Sequence, residues 1–330
     1  MNEFGRLLRT TIFGESHGEA VGICLQGVPA GLSLQSSDFE ADLERRKGGI
    51  QKGTTPRKEE DIPLLKSGVF NGKTTGAPIL ILFENNNIRS TDYDQQRSFP
   101  RPGHADFVAE KKYGGFQDYR GGGHFSGRLT VALVAAGVIA KKLLQKINIH
   151  ASLIEAGGIN NISEGLARAI EAKDSIGGIV ECKVDHLPIG LGEPFFDSVE
   201  SLIAHLAFAI PAIKGIEFGD GFSSAKMFGS EHNDAIENAQ GKTKTNHAGG
   251  INGGLTNGNE LIFRVAVKPT SSTPQMQQSW NKETQEVAPF SVKGRHDLCI
   301  ALRVPVIIEA ITALVLADLM MLEQRIPRIL

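Results

Sequence analysis

Five of the nine histidines, His17, His104, His124, His247 and His296, lie in or beside polar or glycine-rich loops. Imidazole exchanges protons near neutral pH, so histidines held in loops are candidates for general acid or base work. A lone histidine is more often a satisfied structural residue; five in the same setting ask for a chemical reason. His17, in the turn Gly14-Glu15-Ser16-His17-Gly18, is the candidate catalytic acid. Asp297, in Arg295-His296-Asp297, reads first as an ion-paired residue, and as a base where its neighbours set its pKa suitably.

The loops around these residues suit an anion. Arg120-Gly121-Gly122-Gly123-His124-Phe125-Ser126-Gly127-Arg128 precedes a helical pattern, and Lys268-Pro269-Thr270-Ser271-Ser272 follows a strand pattern. Free N–H groups at a helix start, joined by Arg, Lys and hydroxyl donors, form a phosphate receptor. His247-Ala248-Gly249-Gly250-Ile251-Asn252-Gly253-Gly254 adds a third backbone-rich loop, and Arg45, Arg46, Lys47, Lys52, Arg57 and Lys58 a basic segment. The sum is an enzyme acting on a small phosphorylated acid.

Several common chemistries are missing. No H-E-x-x-H pair or His/Cys cluster has metal-ligand spacing, so no catalytic metal is expected. No G-x-x-x-x-G-K-[ST] loop occurs. A net charge of -2 disfavours nucleic acid as a partner. Cys24, Cys182 and Cys299 form no C-x-x-C pair, and Met1 to Arg9 has no apolar core of signal-peptide length, so a cytoplasmic protein is expected. The 38 glycines exceed the roughly 23 that average usage gives, and they cluster with His, Arg and Ser as binding loops do.

The elements that must position these loops are partly legible. Ser37 to Arg46 reads as a helix with a capping box at Ser37 and Glu40. Thr130 to Ile147 and Val306 to Gln324 read as buried helices, the latter overlapping an apolar stretch from Val304 to Leu322 that carries Glu309 and Asp318 and so is no membrane span. Asp197 and Glu200 start another helix that ends by Pro211. Ala77 to Glu84, Ile179 to Val184 and Leu261 to Lys268 read as strands. Without regular βαβ alternation, and without a linker, an α+β fold in a single domain, 1–330, is expected.

The motifs run in order as Phe13-Gly14-Glu15-Ser16-His17-Gly18, Gly27-Val28-Pro29, Leu43-Glu44-Arg45-Arg46, Thr75-Gly76, Arg101-Pro102-Gly103-His104-Ala105-Asp106, Tyr119-Arg120-Gly121-Gly122-Gly123, Ser126-Gly127-Arg128, Asn246-His247-Ala248-Gly249-Gly250, Lys268-Pro269-Thr270-Ser271-Ser272 and Gly294-Arg295-His296-Asp297. Taken together, this ordered set resembles the chorismate synthase family over nearly the whole chain. The resemblance implies a lyase that converts 5-enolpyruvylshikimate 3-phosphate to chorismate by 1,4-anti elimination of phosphate. Reduced FMN is required there without net redox change. It also implies a β-α-β sandwich, with two four-stranded antiparallel sheets flanking a helical layer, assembled as a homotetramer.

Carried over by position, His17 protonates the departing phosphate, His104 protonates the reduced flavin near N1, and Asp297 assists proton removal near N5. Arg46, Lys52, Ser126, Arg128 and Arg295 hold the substrate's anions. FMN contacts fall to His124, Phe125, Ser126, Ala212, Gly253, Lys268, Pro269, Thr270, Ser271, Ser272 and Arg295. Family descriptions place NADP near Arg46 and Lys52, with NADPH or an external flavin reductase as the source of electrons. The chain departs from the family pattern at His124-Phe125, where Arg-Ser is frequent, at Pro211 for Asn, at Leu298 for Pro, and at Lys52 for Arg; Cys24 and Gln26 also vary the first signature. A flavoenzyme with net redox chemistry and a non-catalytic anion-binding protein are the rival readings.

Overall fold

The computed structural model describes residues 2–49, 53–55, 59–86, 98–292 and 296–330. Its longer helices are α1 (Glu40–Arg46), α2 (Asp106–Tyr113), α3 (Thr130–Leu144), α4 (Ile162–Ala172), α5 (Val199–Ala209) and α6 (Val304–Leu322). One antiparallel sheet contains β1 (Glu3–Phe4), β2 (Arg9–Gly14), β3 (Ala20–Gln26), β4 (Leu64–Leu65) and β5 (Ile79–Glu84), in the order β1-β2-β3-β5-β4. A second contains β6 (Asn148–Ala156), β7 (Gly178–Asp185), β8 (Ile213–Phe218) and β9 (Leu261–Val267), in the order β8-β9-β7-β6. The fold is therefore mixed α and β. The first sheet has five strands where four were expected, because the two-residue strands β1 and β4 extend its edges.

Register follows from side-chain alternation. Ile23 pairs with Ile12 on one side and Ile81 on the other. Residues of period two on β9 are buried and those between them half-buried, as expected for a strand facing a core on one side. Helix α3 packs against β2, β3 and β5, α6 packs against β6 and β7, and the two helices pack on each other. Gly137 permits that crossing, since a methyl group there would stand 2.3 Å from the Ala310 Cβ.

Helix α6 is buried almost all round, which is why its sequence is apolar on every face. By length and hydropathy Ile300–Leu322 would suffice to cross a membrane, but here it is core. Its two acids are satisfied inside the protein. Asp318 accepts backbone N–H groups of Arg6, Leu7 and Leu8 at 2.9, 2.8 and 2.7 Å. Glu309 accepts both guanidinium nitrogens of Arg45 (2.7 and 2.6 Å), Lys141 Nζ (2.8 Å) and Ala151 N (3.0 Å). Burial opposes ionisation of Glu309, yet Arg45 and Lys141 hold it below its ordinary pKa.

Some boundaries move. The turn before α1 is capped at Gln35, whose N–H donates to Asp38 Oδ2 at 2.7 Å, rather than at Ser37 and Glu40. Helix α3 ends at Leu144, where Gln145 turns with a φ of 44°, not at Ile147. Helix α6 begins at Val304, with Pro305 in its first turn, where a missing N–H costs nothing. Helix α5 starts after Ser198, whose Oγ accepts Ser201 N at 3.1 Å, and ends before Pro211.

Candidate active site

Two abutting cavities open where α1, the loop before α3, and the segments following β9 and preceding α6 meet. The larger holds about 670 Å³ and is lined by His104, His124, Phe125, Ser126, Ala212 and the loop Lys268 to Ser272. That volume lies within the roughly 300–1,000 Å³ of small-molecule sites. The smaller, about 200 Å³, is lined by Arg46, Asp61, Arg128, His296, Asp297 and Arg303. Arg101, Gly121, Ser126 and Thr270 border both.

The small cavity has a cationic wall built around one carboxylate. Arg46 Nη1 donates to Asp61 Oδ2 at 2.9 Å, and Arg128 Nη1 donates to Asp61 Oδ1. All three side chains are at most 5% exposed. Arg46 Nε also donates to Thr130 Oγ1 (3.1 Å) and Arg128 Nε to Asn85 Oδ1 (3.0 Å), which fixes both guanidinium planes. Burial lowers Arg46 to about 9, against the pull of Asp61, so it stays charged at neutral pH. Burial pushes the Asp61 carboxyl upward, but the two arginines outweigh it and hold it below its usual range. Two cations on one buried anion leave net positive charge at the cavity wall. Asp297 lines the same cavity, accepting Thr55 N at 2.9 Å and Arg303 Nη1 at 3.0 Å.

His17 follows β2 and is 3% exposed. Ser16 Oγ lies 3.0 Å from His17 Nδ1 and 3.2 Å from the Arg120 carbonyl oxygen. His17 is not among the described lining residues of either cavity; it sits behind Gly121, where a methyl group would stand 2.2 Å from His17 Cε1. His104 does line the larger cavity, with Nδ1 2.6 Å from Asp106 Oδ1. Arg101 holds Asp106 from the other side, through Nε (2.8 Å) and Nη2 (2.8 Å). Burial opposes the charge on Asp106, but Arg101 and His104 keep the carboxyl well below its usual range.

The larger cavity offers donors for a phosphorylated cofactor. Thr270 Oγ1 is buried without a hydrogen-bond partner among the described residues, an open position that a ligand atom would fill. Lys268 Nζ and Ser271 Oγ both donate to the Gly103 carbonyl, at 2.6 and 2.8 Å, tying this loop to the one carrying His104. Burial, then Lys214, lowers the Lys268 pKa. Size, the orphan hydroxyl and the mix of Lys, Ser and Thr donors fit a flavin with a phosphate tail.

The structure gathers most of the expected site residues. Ser126, Pro269, Thr270, Ser271 and Ser272 line the larger cavity with His124 and Phe125, and His124 Nδ1 donates to the Gly14 carbonyl at 2.8 Å. Ala212 lines it with a φ of 77°, rare for a residue with a Cβ. Gly253 lies elsewhere, in the turn between Ile251–Asn252 and Leu255–Thr256. Lys52 and Arg295 lie outside the described residues, as do Arg57 and Lys58. Of the basic run ending α1, Arg46 and Lys47 reach the small cavity, whereas Arg45 serves the Glu309 network. His247 instead pairs with Asp220, Nδ1 to Oδ2 2.6 Å.

Three residues in contact with the site's side chains had no assigned role from sequence: Asp61, Asp106 and Arg303. Asp106 could have been found, since a carboxylate two residues from a histidine is within reach of its ring. Asp61 gave only a charge pattern, Glu59-Glu60-Asp61 after Arg57-Lys58, with no sign of its partners. Among the described residues no group of three His, Cys, Asp or Glu is placed to hold a metal ion.

Comparison with known proteins agrees with this arrangement. The chorismate synthase family profile matches residues 8–321. A chorismate synthase of Chitinophaga pinensis is 69% identical over 330 residues, covering 100% of this chain and 99% of the relative. One from Dehalococcoides mccartyi is 44% identical over 360 aligned positions, covering 100% and 99%. A crystal structure of chorismate synthase superposes with a TM-score of 0.73 at 27% identity, over 97% of this chain and 93% of that one. With the motifs in order, the fold matched end to end and an anion receptor beside a flavin-sized cavity, the chain belongs to the chorismate synthase family of lyases.

Proposed function

We propose that the two cavities together catalyse the 1,4-anti elimination of phosphate from 5-enolpyruvylshikimate 3-phosphate, giving chorismate. The observation that carries this reading is the shared wall: the arginine receptor and the flavin-sized cavity meet at Gly121, Ser126 and Thr270. A substrate with three anionic groups can then sit against cations while its ring faces the cofactor. Family membership carries a flavin requirement. Bound in the larger cavity, a reduced flavin would supply electron density for C–O cleavage without net redox change.

The chain's own groups divide the remaining work. Arg46 and Arg128 hold phosphate or carboxylate, with Lys52 and Arg295 as further cationic contacts. His17 delivers the proton to the leaving phosphate; with Nδ1 committed to Ser16, Nε2 is the atom that releases it. Asp297, whose Oδ2 accepts Arg303 Nη1, takes up the ring proton. His104 holds a proton at the flavin's N1 edge. His124, Phe125, Ser126, Ala212 and Lys268 through Ser272, with Arg295, would hold FMN, backbone donors compensating for His124-Phe125, while Gly253, off this cavity, takes no part in it within one chain.

The same reading includes a single domain, supported by one contiguous hydrophobic core, and a β-α-β sandwich, supported by the packing of α3 and α6 on opposite sheets. A cytoplasmic homotetramer reduced by NADPH near Arg46 and Lys52, or by an external flavin reductase, is supported by the family resemblance. An anaerobic assay with 5-enolpyruvylshikimate 3-phosphate tests the reaction, following phosphate release and chorismate absorbance. Turnover with reduced but not oxidised FMN is expected. Net oxidation of the flavin per turnover, or no product with reduced flavin, would replace this reading with a redox flavoenzyme or a binding protein.

A further inference from the structure

Asp106 is tied into a chain of contacts that no substrate-binding role requires. Its Oδ2 accepts Arg101 N (3.0 Å) and Nε (2.8 Å), while Oδ1 accepts Arg101 Nη2 (2.8 Å) and faces His104 Nδ1 (2.6 Å). Arg101 Nη1 reaches on to Ser272 Oγ at 3.3 Å in the cofactor loop. Arg101 Nη2 also lies 3.0 Å from His104 Nδ1. A guanidinium offers only hydrogens, so it gives Nδ1 no acceptor; the carboxylate does. The other ring edge is bounded by Gly122, where a methyl group would stand 3.0 Å from His104 Cε1 and 3.3 Å from Nε2.

We propose that Asp106 is a positioning residue for His104: held by Arg101, it fixes the proton on Nδ1 and leaves Nε2 as the atom that exchanges a proton with the bound flavin. The catalytic consequence rests on the function proposed above; the tautomer does not. A histidine whose Nδ1–H is bound to a carboxylate has one ring orientation and one available nitrogen, and losing such a partner has cost 10- to 10⁴-fold elsewhere. Gly122 keeps the exchanging edge clear, and the Ser272 contact links that orientation to the loop expected to hold the cofactor.

The test is long-range proton–nitrogen NMR of the wild-type apoprotein labelled at histidine, with His104→Gln to assign the signal. Neutral His104 should carry its proton on Nδ1, and a proton on Nε2 overturns the proposal. In Asp106→Asn the preference should be lost and turnover should fall about 10²-fold or more; Asp106→Glu should recover part of it. An unchanged tautomer in Asp106→Asn also overturns the proposal. The wild-type spectrum decides the matter if that variant fails to fold. Absence of turnover in wild type as well counts against the reaction and not against the tautomer.

Discussion

Gly121 and Gly122, neighbours in the chain, each close on a different histidine. A methyl group on Gly121 would stand 2.2 Å from His17 Cε1, and one on Gly122 would stand 3.0 Å from His104 Cε1. Their φ values of 59° and 88° are open to glycine and strained for other residues. One turn thus sets the separation of the His17 and His104 rings. Gly121→Ala should displace His17 and reproduce the loss from His17→Ala, a fall in turnover of about 10²-fold or more with FMN still bound. Rapid-mixing kinetics on both variants, alongside FMN titration, checks this; full activity in Gly121→Ala would remove the turn from the mechanism.

Asp61→Asn leaves Arg46 and Arg128 without their shared counter-charge. Breaking a buried ion pair from one side costs about 3–5 kcal/mol, so the denaturation midpoint should drop markedly. With Arg46 and Arg128 in the binding role proposed for them, substrate KM should rise more than kcat falls. Equal KM in variant and wild type would show that their planes are set by Thr130 and Asn85 alone.

Thr270 separates binding from stability by sign. Its Oγ1 is buried without a partner among the described residues. An unsatisfied buried hydroxyl costs about 1–3 kcal/mol. Thr270→Val, nearly isosteric, should therefore leave the apoprotein as stable or more stable while weakening FMN. Thermal unfolding with and without flavin measures both; tighter FMN binding in the variant contradicts the assignment.

Acid should unfold the protein through its paired carboxylates. Asp61 and Asp106, each ordinarily near 3.8, and Glu309, near 4.5, are lowered in the folded state. Below those ordinary values the unfolded chain binds protons first, so the stability these groups contribute is complete above them and is lost as pH falls through the depressed folded values. Melting temperature recorded from pH 7 down to pH 3 should fall steeply at the acid end, and less steeply in Asp106→Asn. Parallel curves for variant and wild type would exclude Asp106 from the acid transition.

What the sequence determined by itself was local or patterned. Apolar composition marked α3 and α6, β-branched runs marked β5, β7 and β9, and glycine clusters beside His, Arg and Ser marked the loops that line the cavities. The ordered motifs carried the family. Tertiary structure decided what depends on distant partners. Asp61 joins Arg128 across 67 positions, and Glu309 joins Arg45 across 264, so neither pairing leaves a local trace. The fifth strand of the first sheet comes from two-residue segments too short for alternation to register. His17 was legible as a histidine in a loop; that it lies behind Gly121 while His104 faces the cavity was not, because which side of a turn a ring occupies depends on the backbone packed against it.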